Sequence, residues 1–550
     1  MNWKTILRFK AIGVVLVLAL MLISVGYVAA MERDSDWDHG HHGDDYIADP
    51  IWTDAGYVSG SKMDSMVCPG PTTLQTELFG PPALPGTIGI IGDVVRVYRG
   101  IPYAAPPLGN LRWKPPQPVT PWKGIRECTV FSPMAPQLYP SAALYGSIPE
   151  SGMSEDCLYL NVLTPAKTRH DRLPVMVWFH GGGFFSGSSN PANNNSPPLP
   201  QHGVVLVTIQ HRLGALGYMC LPALAAESGN VCGNYGFLDL IASLQWVQRN
   251  IAAFGGDPHN VTIFGESGGG GKVNTLMASP LAKGLFQRAI CESGWMPGPN
   301  SVNLTTGEYL GGQLVNYLVT NGLSASSSLA DLRNAKWEDI VNASESVTLG
   351  APSPSGYADA PTVDGYFLTD FINNIFSTDR QNDVPYMVGM NGGDITTIFT
   401  GTTAIVPTIK QRSNVYVYLF NHVPTGWYNG GILDAYHGLD VAYEFGFYPW
   451  DAFFWGTLFF PFSSYCGIDV GPNPGLDGKD VYVGEAMMTM WSQFAATGNP
   501  SVKHLISWPA YNSTNDQYLY IDDPLAVKSG FSGLTEPGPS SVPPVPHCGL

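Results

Sequence analysis

Val261-Thr262-Ile263-Phe264-Gly265-Glu266-Ser267-Gly268-Gly269-Gly270-Gly271 is a β-branched and aromatic run that breaks into a Gly-x-Ser-x-Gly turn and continues as a glycine-rich helix entry. A serine on a sharp strand-to-helix turn is a nucleophile elbow. The turn forces the serine into strained backbone, and side chains two residues either side would collide with the neighbouring strand and helix, so glycine is needed there. The five-residue pattern alone occurs by chance in many chains. A strand before it and a helix after it make it specific, and a glycine-rich turn with an idle serine becomes the weaker reading.

Upstream, Val175-Met176-Val177-Trp178-Phe179 runs into His180-Gly181-Gly182-Gly183-Phe184, a second strand that ends in exposed backbone amides. Acyl transfer passes through a tetrahedral oxyanion, and one preorganised amide donor is worth about 3–4 kcal/mol to it. Between the two glycine loops, Leu238, Ile241, Leu244, Val247 and Ile251 recur every three or four residues, which predicts a helix over 236–254 closed by Gly255-Gly256. Further strands are expected at 173–179, 204–210, 261–264 and 288–291. That alternation of strands and helices predicts a mostly parallel central sheet flanked by helices, and together with the nucleophile elbow it leads to the expectation of an α/β-hydrolase fold. No internal repeat and no Pro- or Ser-rich linker divides residues 68–535, which are read as one large domain.

The length of 550 residues and the 44% hydrophobic content are enough for a large buried core and too apolar for a disordered chain. With 27 basic against 44 acidic side chains, the net charge of −17 repels nucleic acid and excludes it as a partner. Lys4, Arg8 and Lys10 precede an unbroken apolar run over 11–30, the pattern of a cleaved signal peptide, or of a membrane anchor if the run is retained. The expected location is therefore secreted or periplasmic. Residues 31–67, with His39, His41 and His42, read as a flexible leader rather than a metal site, because no scaffold would fix the ligands. Residues 536–550 read as a proline-rich tail. Of the 8 cysteines, Cys220 and Cys232 are the first candidate disulfide and Cys128 with Cys157 the second, with a buried thiol as the alternative for each.

Several blocks resemble the type-B carboxylesterase and cholinesterase family, over about residues 98–521. They include Tyr98-Arg99-Gly100-Ile101-Pro102-Tyr103-Ala104, Ser154-Glu155-Asp156-Cys157-Leu158-Tyr159-Leu160-Asn161-Val162, Phe254-Gly255-Gly256-Asp257-Pro258 and Trp491-Ser492-Gln493-Phe494-Ala495. The resemblance implies a serine carboxylic-ester hydrolase with Ser267 as nucleophile. It also implies an oxyanion hole made by the amides of Gly182, Gly183 and Gly268. Gly268 stands where the family usually has alanine, and the extra backbone freedom is expected to loosen the hole.

The fold demands the chain order serine, acid, histidine. His437, in Ala435-Tyr436-His437-Gly438, resembles the family's histidine block, whereas His202, His211, His259 and His422 read as surface or packing residues. Asp394, after Val388-Gly389-Met390-Asn391-Gly392-Gly393, resembles the family's acid, with aspartate where glutamate is usual; capping of the next helix is the alternative role. Being one methylene shorter, it requires the backbone to come closer to the histidine. No cofactor or metal is required by this chemistry.

Only 43 positions separate Asp394 from His437. The family usually carries a longer helical insertion there, so the resemblance suggests an uncovered gorge that favours bulky or polymer-linked esters over a snug small-molecule one. The aromatic run 445–460, including Trp450 and Trp455, either lines that mouth or packs internally. The cholinesterase tryptophan has no counterpart between Met134 and Asp156, and Ala135 replaces the loop's usual cysteine. A lipase, an amidase or lactonase on the same triad, and a binding protein that has kept only the fold are the other readings.

Overall fold

In the computed structural model, residues 47, 49–64, 94–138, 151–191, 193–229, 231–296, 298, 300–348, 360–424, 435–446 and 478–535 are described. The apolar N-terminal run, the histidines at 39–42, Trp450, Trp455 and the proline-rich tail lie outside them.

Among the described residues, eleven strands form the main sheet. In chain order they are β1 Ser61–Asp64, β2 Val94–Pro102, β3 Tyr159–Thr164, β4 Leu173–Phe179, β5 Val205–Ile209, β6 Gly256–Glu266, β7 Arg288–Glu292, β8 Tyr386–Asn391, β9 Val415–Phe420, β10 Gln517–Ile521 and β11 Ala526–Ser529. Their order across the sheet is β11-β10-β9-β8-β7-β6-β4-β5-β3-β2-β1. Strands β4 to β10 run parallel, and β1, β2, β3 and β11 join antiparallel at the two edges. The expected mostly parallel sheet is therefore present, with antiparallel margins that short apolar runs do not announce.

Period-2 alternation explains why the strands read as continuous apolar runs. Val175, Val177 and Phe179 of β4 enter one core, and Met176 and Trp178 enter the other, on the opposite face. A sheet buried on both faces has no polar side to show. Helices α1 Tyr235–Asn250, α2 Gly268–Ala278 and α3 Leu304–Thr320 contribute to the first core, while α4 Asp440–Glu444 and α5 Gly478–Thr497 contribute to the second. The α1 helix runs on into a 3₁₀ turn, Ile251–Phe254, and Gly255 closes it at φ 79°, a left-handed conformation that favours glycine.

Strand β4 lies between β5 and β6, so the chain leaves it toward one side of the sheet and returns on the other. The carboxyl ends of β4 and β6 flank this switch point, where open α/β sheets bind ligands.

Two expectations are corrected. The flexible leader expected over 31–67 gives way to strands within 51–64. Ile51–Thr53 and Gly56–Ser59 pair with each other, Gly56–Ser59 pairs with Ile125–Glu127, and Ser61–Asp64 is strand β1 of the main sheet. Runs of three or four residues beside an acidic stretch are too short for their alternation to stand out. The disulfide Cys220–Cys232 is present, but Cys128 and Cys157 are not bonded to each other. Each thiol is buried in the apolar core, where burial pushes Cys128 up to about 12 and Cys157 upward as well.

Candidate active site

Ser267 sits between β6 and α2 with φ 57° and ψ −123°, a conformation that non-glycine residues adopt at a cost of about 1–3 kcal/mol. A Cβ at Gly265 or at Gly269 would overlap the Phe179 carbonyl at the end of β4. Both flanking glycines of the motif are thus explained by one neighbour. The Ser267 amide donates to the Glu292 carbonyl of β7 at 2.9 Å, which fixes the elbow to the adjacent strand.

The three sequence-selected side chains meet in one line. Ser267 Oγ lies 2.8 Å from His437 Nε2, and His437 Nδ1 lies 2.7 Å from Asp394 Oδ1. With the Nδ1 proton donated to the carboxylate, Nε2 presents its lone pair to the serine hydroxyl. Asp394 is itself held: the Ile395 amide donates to Oδ1 at 2.8 Å, while the Asn391 amide at 3.1 Å and the Ser293 hydroxyl at 2.6 Å donate to Oδ2.

Backbone supplies the close approach that an aspartate needs. Gly393 forms a bridge with Tyr436, and its amide donates to the Ala435 carbonyl at 2.9 Å. Asn391 Nδ2 ties the same two turns by donating to the Tyr436 carbonyl at 2.7 Å and to Asp440 Oδ1 at 3.1 Å. Among the described residues, no other histidine joins this line. His202 and His422 are buried against carboxylates, His211 stacks on His180, and His259 is exposed.

Gly182 and Gly183 adopt φ 84° and 60° at the end of β4, and the Gly182 carbonyl accepts from the Ser186 hydroxyl at 2.9 Å. Gly268 packs directly against this loop: a Cβ there would fall on the backbone of Gly183. The missing methyl lets the two glycine segments approach closely, a packing role for Gly268 beyond the backbone freedom that the sequence suggests. Gly268→Ala is expected to push them apart and lower kcat by about ten- to a hundredfold with little change in thermal stability, read by steady-state kinetics beside a melting curve. Undiminished kcat would mean that the close packing has no bearing on turnover.

Sequence reasoning missed four buried carboxyls around the imidazole. Glu266 Oε1 is 3.3 Å from His437 Nε2, and Glu292, Asp440 and Glu444 lie within the same buried group. Burial holds all four above the usual carboxylate range. Burial works against a charge on His437, yet Glu266, Asp394 and Asp440 outweigh it and push its pKa up to about 9. A general base works unprotonated, so kcat/KM should rise with pH through that value. Glu266→Gln removes a negative charge beside the ring and should move the acid limb toward the ordinary histidine value of 6.5. A pH–rate profile unchanged by the substitution would show that Glu266 does not set the histidine's charge.

Residues 86–405 and 395–533 match the carboxylesterase family. The chain belongs to that family. Among the relatives of this carboxylesterase is a fumonisin B1 esterase of Sphingopyxis macrogoltabida, 37% identical over 331 residues, which are 59% of this chain and 57% of that protein. A medium-chain fatty acyl-CoA hydrolase precursor of Anas platyrhynchos is 33% identical over 78% of this chain and 84% of its own. The para-nitrobenzyl esterase of Bacillus subtilis (strain 168) is 30% identical over 80% of this chain and 94% of its own. A solved PNB esterase superposes with a TM-score of 0.68 at 25% identity, covering 87% of this chain and 96% of that one. This carboxylesterase is accordingly a hydrolase acting on ester bonds, with the α/β-hydrolase fold that the elbow implied.

Among the described residues, no group of three His, Cys, Asp or Glu side chains could hold a metal ion, and no helix is long and apolar enough to cross a membrane.

Proposed function

We propose that this carboxylesterase hydrolyses esters through an acyl-enzyme on Ser267, with His437 as base, Asp394 as its orienting acid and the amides of Gly182, Gly183 and Gly268 as oxyanion donors. The observation that carries the reading is the continuous line from Ser267 Oγ through His437 to Asp394, beside the glycine loop. His437 takes the serine proton as Oγ adds to the ester carbonyl, then returns it to the departing alkoxide. Water, deprotonated by the same imidazole, releases the acid. No step calls for a metal or cofactor.

The preferred esters are bulky or polymer-linked ones with apolar parts. The short connection from Asp394 to His437 supports this, as does Phe185, which is 46% exposed and lies against Gly183. A series of p-nitrophenyl esters from acetate to palmitate, with aryl esters of large acids alongside, tests it. Rising kcat/KM with acyl bulk is expected; equal or better turnover of acetate would reject the preference. Export to an oxidising compartment belongs to the same reading, supported by the Cys220–Cys232 disulfide and by the basic-then-apolar start of the chain. Contact with a membrane would come through residues 11–30, if these stay attached.

A further inference from the structure

Lys272 is fully buried on α2, five residues beyond Ser267. Its Nζ donates to the His180 carbonyl at 2.7 Å and lies 5.8 Å from the Phe184 ring centroid. An ammonium buried against one carbonyl and an aromatic face is poorly compensated for the water it has lost, and burial pulls its pKa down to about 7. Such a residue costs stability, and a methionine of similar volume would not incur that cost.

Its location gives the cost a use. The proposed oxyanion hole is assembled from two chain segments: Gly182 and Gly183 follow β4, and Gly268 opens α2. His180 is the first residue after β4, and it enters the glycine loop. At the far end of the loop, Gln137 holds Gly187 twice, accepting from its amide and donating to its carbonyl, both at 2.9 Å. At the near end, the Lys272 bond joins the loop to the helix that carries Ser267 and Gly268. The His180 ring makes no bond to α2: its Nδ1 bonds the adjacent Gly181 carbonyl at 2.9 Å, its face stacks on His211 at 4.9 Å and its Nε2 has no hydrogen-bond partner among the described residues.

We infer that Lys272 is a positioning residue for ester hydrolysis: by gripping the His180 carbonyl from α2, it sets the spacing between the amides of Gly182 and Gly183 and that of Gly268. This rests on the reading of those amides as the oxyanion hole. The Glu266 carboxyl acts on the ammonium through space, raising its pKa against the pull of burial. A spacing error in the hole acts on the tetrahedral oxyanion and leaves substrate binding nearly unchanged, which separates this role from general support of the fold.

The test compares wild-type enzyme with Lys272→Met and Lys272→Gln in kcat, KM, melting temperature and binding of a trifluoromethyl ketone against its methyl ketone counterpart. Ser267 Oγ adds to the activated carbonyl of the fluorinated ketone, its proton passes to His437, and the carbonyl π pair becomes the oxyanion in the hole. Lys272→Met should lower kcat by about ten- to a hundredfold with KM within about twofold, reduce the affinity ratio of the two ketones to the same extent, and melt no lower than wild type. Lys272→Gln, which keeps an N–H donor without the charge, should recover part of kcat; it carries the test alone if the methionine variant does not fold. An affinity ratio equal to wild type in the folded variant overturns the role of Lys272. A wild-type enzyme that does not favour the fluorinated ketone would instead overturn the oxyanion-hole reading itself.

Discussion

Replacing Ser267 with alanine is expected to lower kcat for p-nitrophenyl esters by about 10⁶-fold while leaving the protein folded. The methyl group of alanine fits where the serine Cβ already sits, and the backbone stays in its φ 57° conformation because Gly265 and Gly269 remain packed on Phe179. What is lost is the oxygen that, in the proposed mechanism, adds to the ester carbonyl. His437→Ala should cost nearly as much, and the double variant no more than either alone, because hydroxyl and imidazole act as one unit. Unequal or multiplying losses, read from kcat of the three variants at matched folding, would mean that the two side chains contribute independently.

Asp394→Asn should cost about 10⁴-fold in kcat with KM nearly unchanged. The amide is isosteric, so the Ser293, Asn391 and Ile395 donors still surround it, but two of its former acceptor positions are now an NH₂ group. An amide nitrogen facing His437 Nδ1 favours the tautomer that protonates Nε2, which then cannot receive the serine proton. Asp394→Glu is a separate probe. Although the resemblance makes glutamate the usual acid, the Gly393–Tyr436 bridge has already drawn the two turns together, and an added methylene would push the carboxylate into the ring. A loss between those of wild type and Asp394→Asn is the expected outcome; full activity would show that the turn can yield.

What could be read from the sequence was local chemistry. The strand, the turn and the helix around Ser267 are contiguous, and glycine at 265 and 269 is a requirement that a short window displays. His437 and Asp394 were found through blocks with a recognisable setting, not through any periodicity of their own. The residues that escaped notice are those whose importance arises only in the folded chain. Ser293 reaches Asp394 across 101 positions, and Glu292 accepts from Trp491 across 199, bonds that no local pattern encodes. Lys272 reads as an ordinary helix residue until β4 is laid beside α2. The leader strands and the unpaired Cys128 and Cys157 failed for a different reason: runs of three and four residues are too short for alternation to stand out even where the pairing partner is adjacent, and thiol pairing is not fixed by sequence.

The central claim is an acyl-enzyme on Ser267, and rapid mixing with p-nitrophenyl acetate followed by acid quench and peptide mass spectrometry addresses it directly. A burst of one p-nitrophenolate per folded chain is expected, with the acetyl mass on the peptide that contains Ser267 and absent from Ser267→Ala. Steady turnover with no burst and no adduct under conditions where acylation is fast, or an adduct on any other residue, would contradict it.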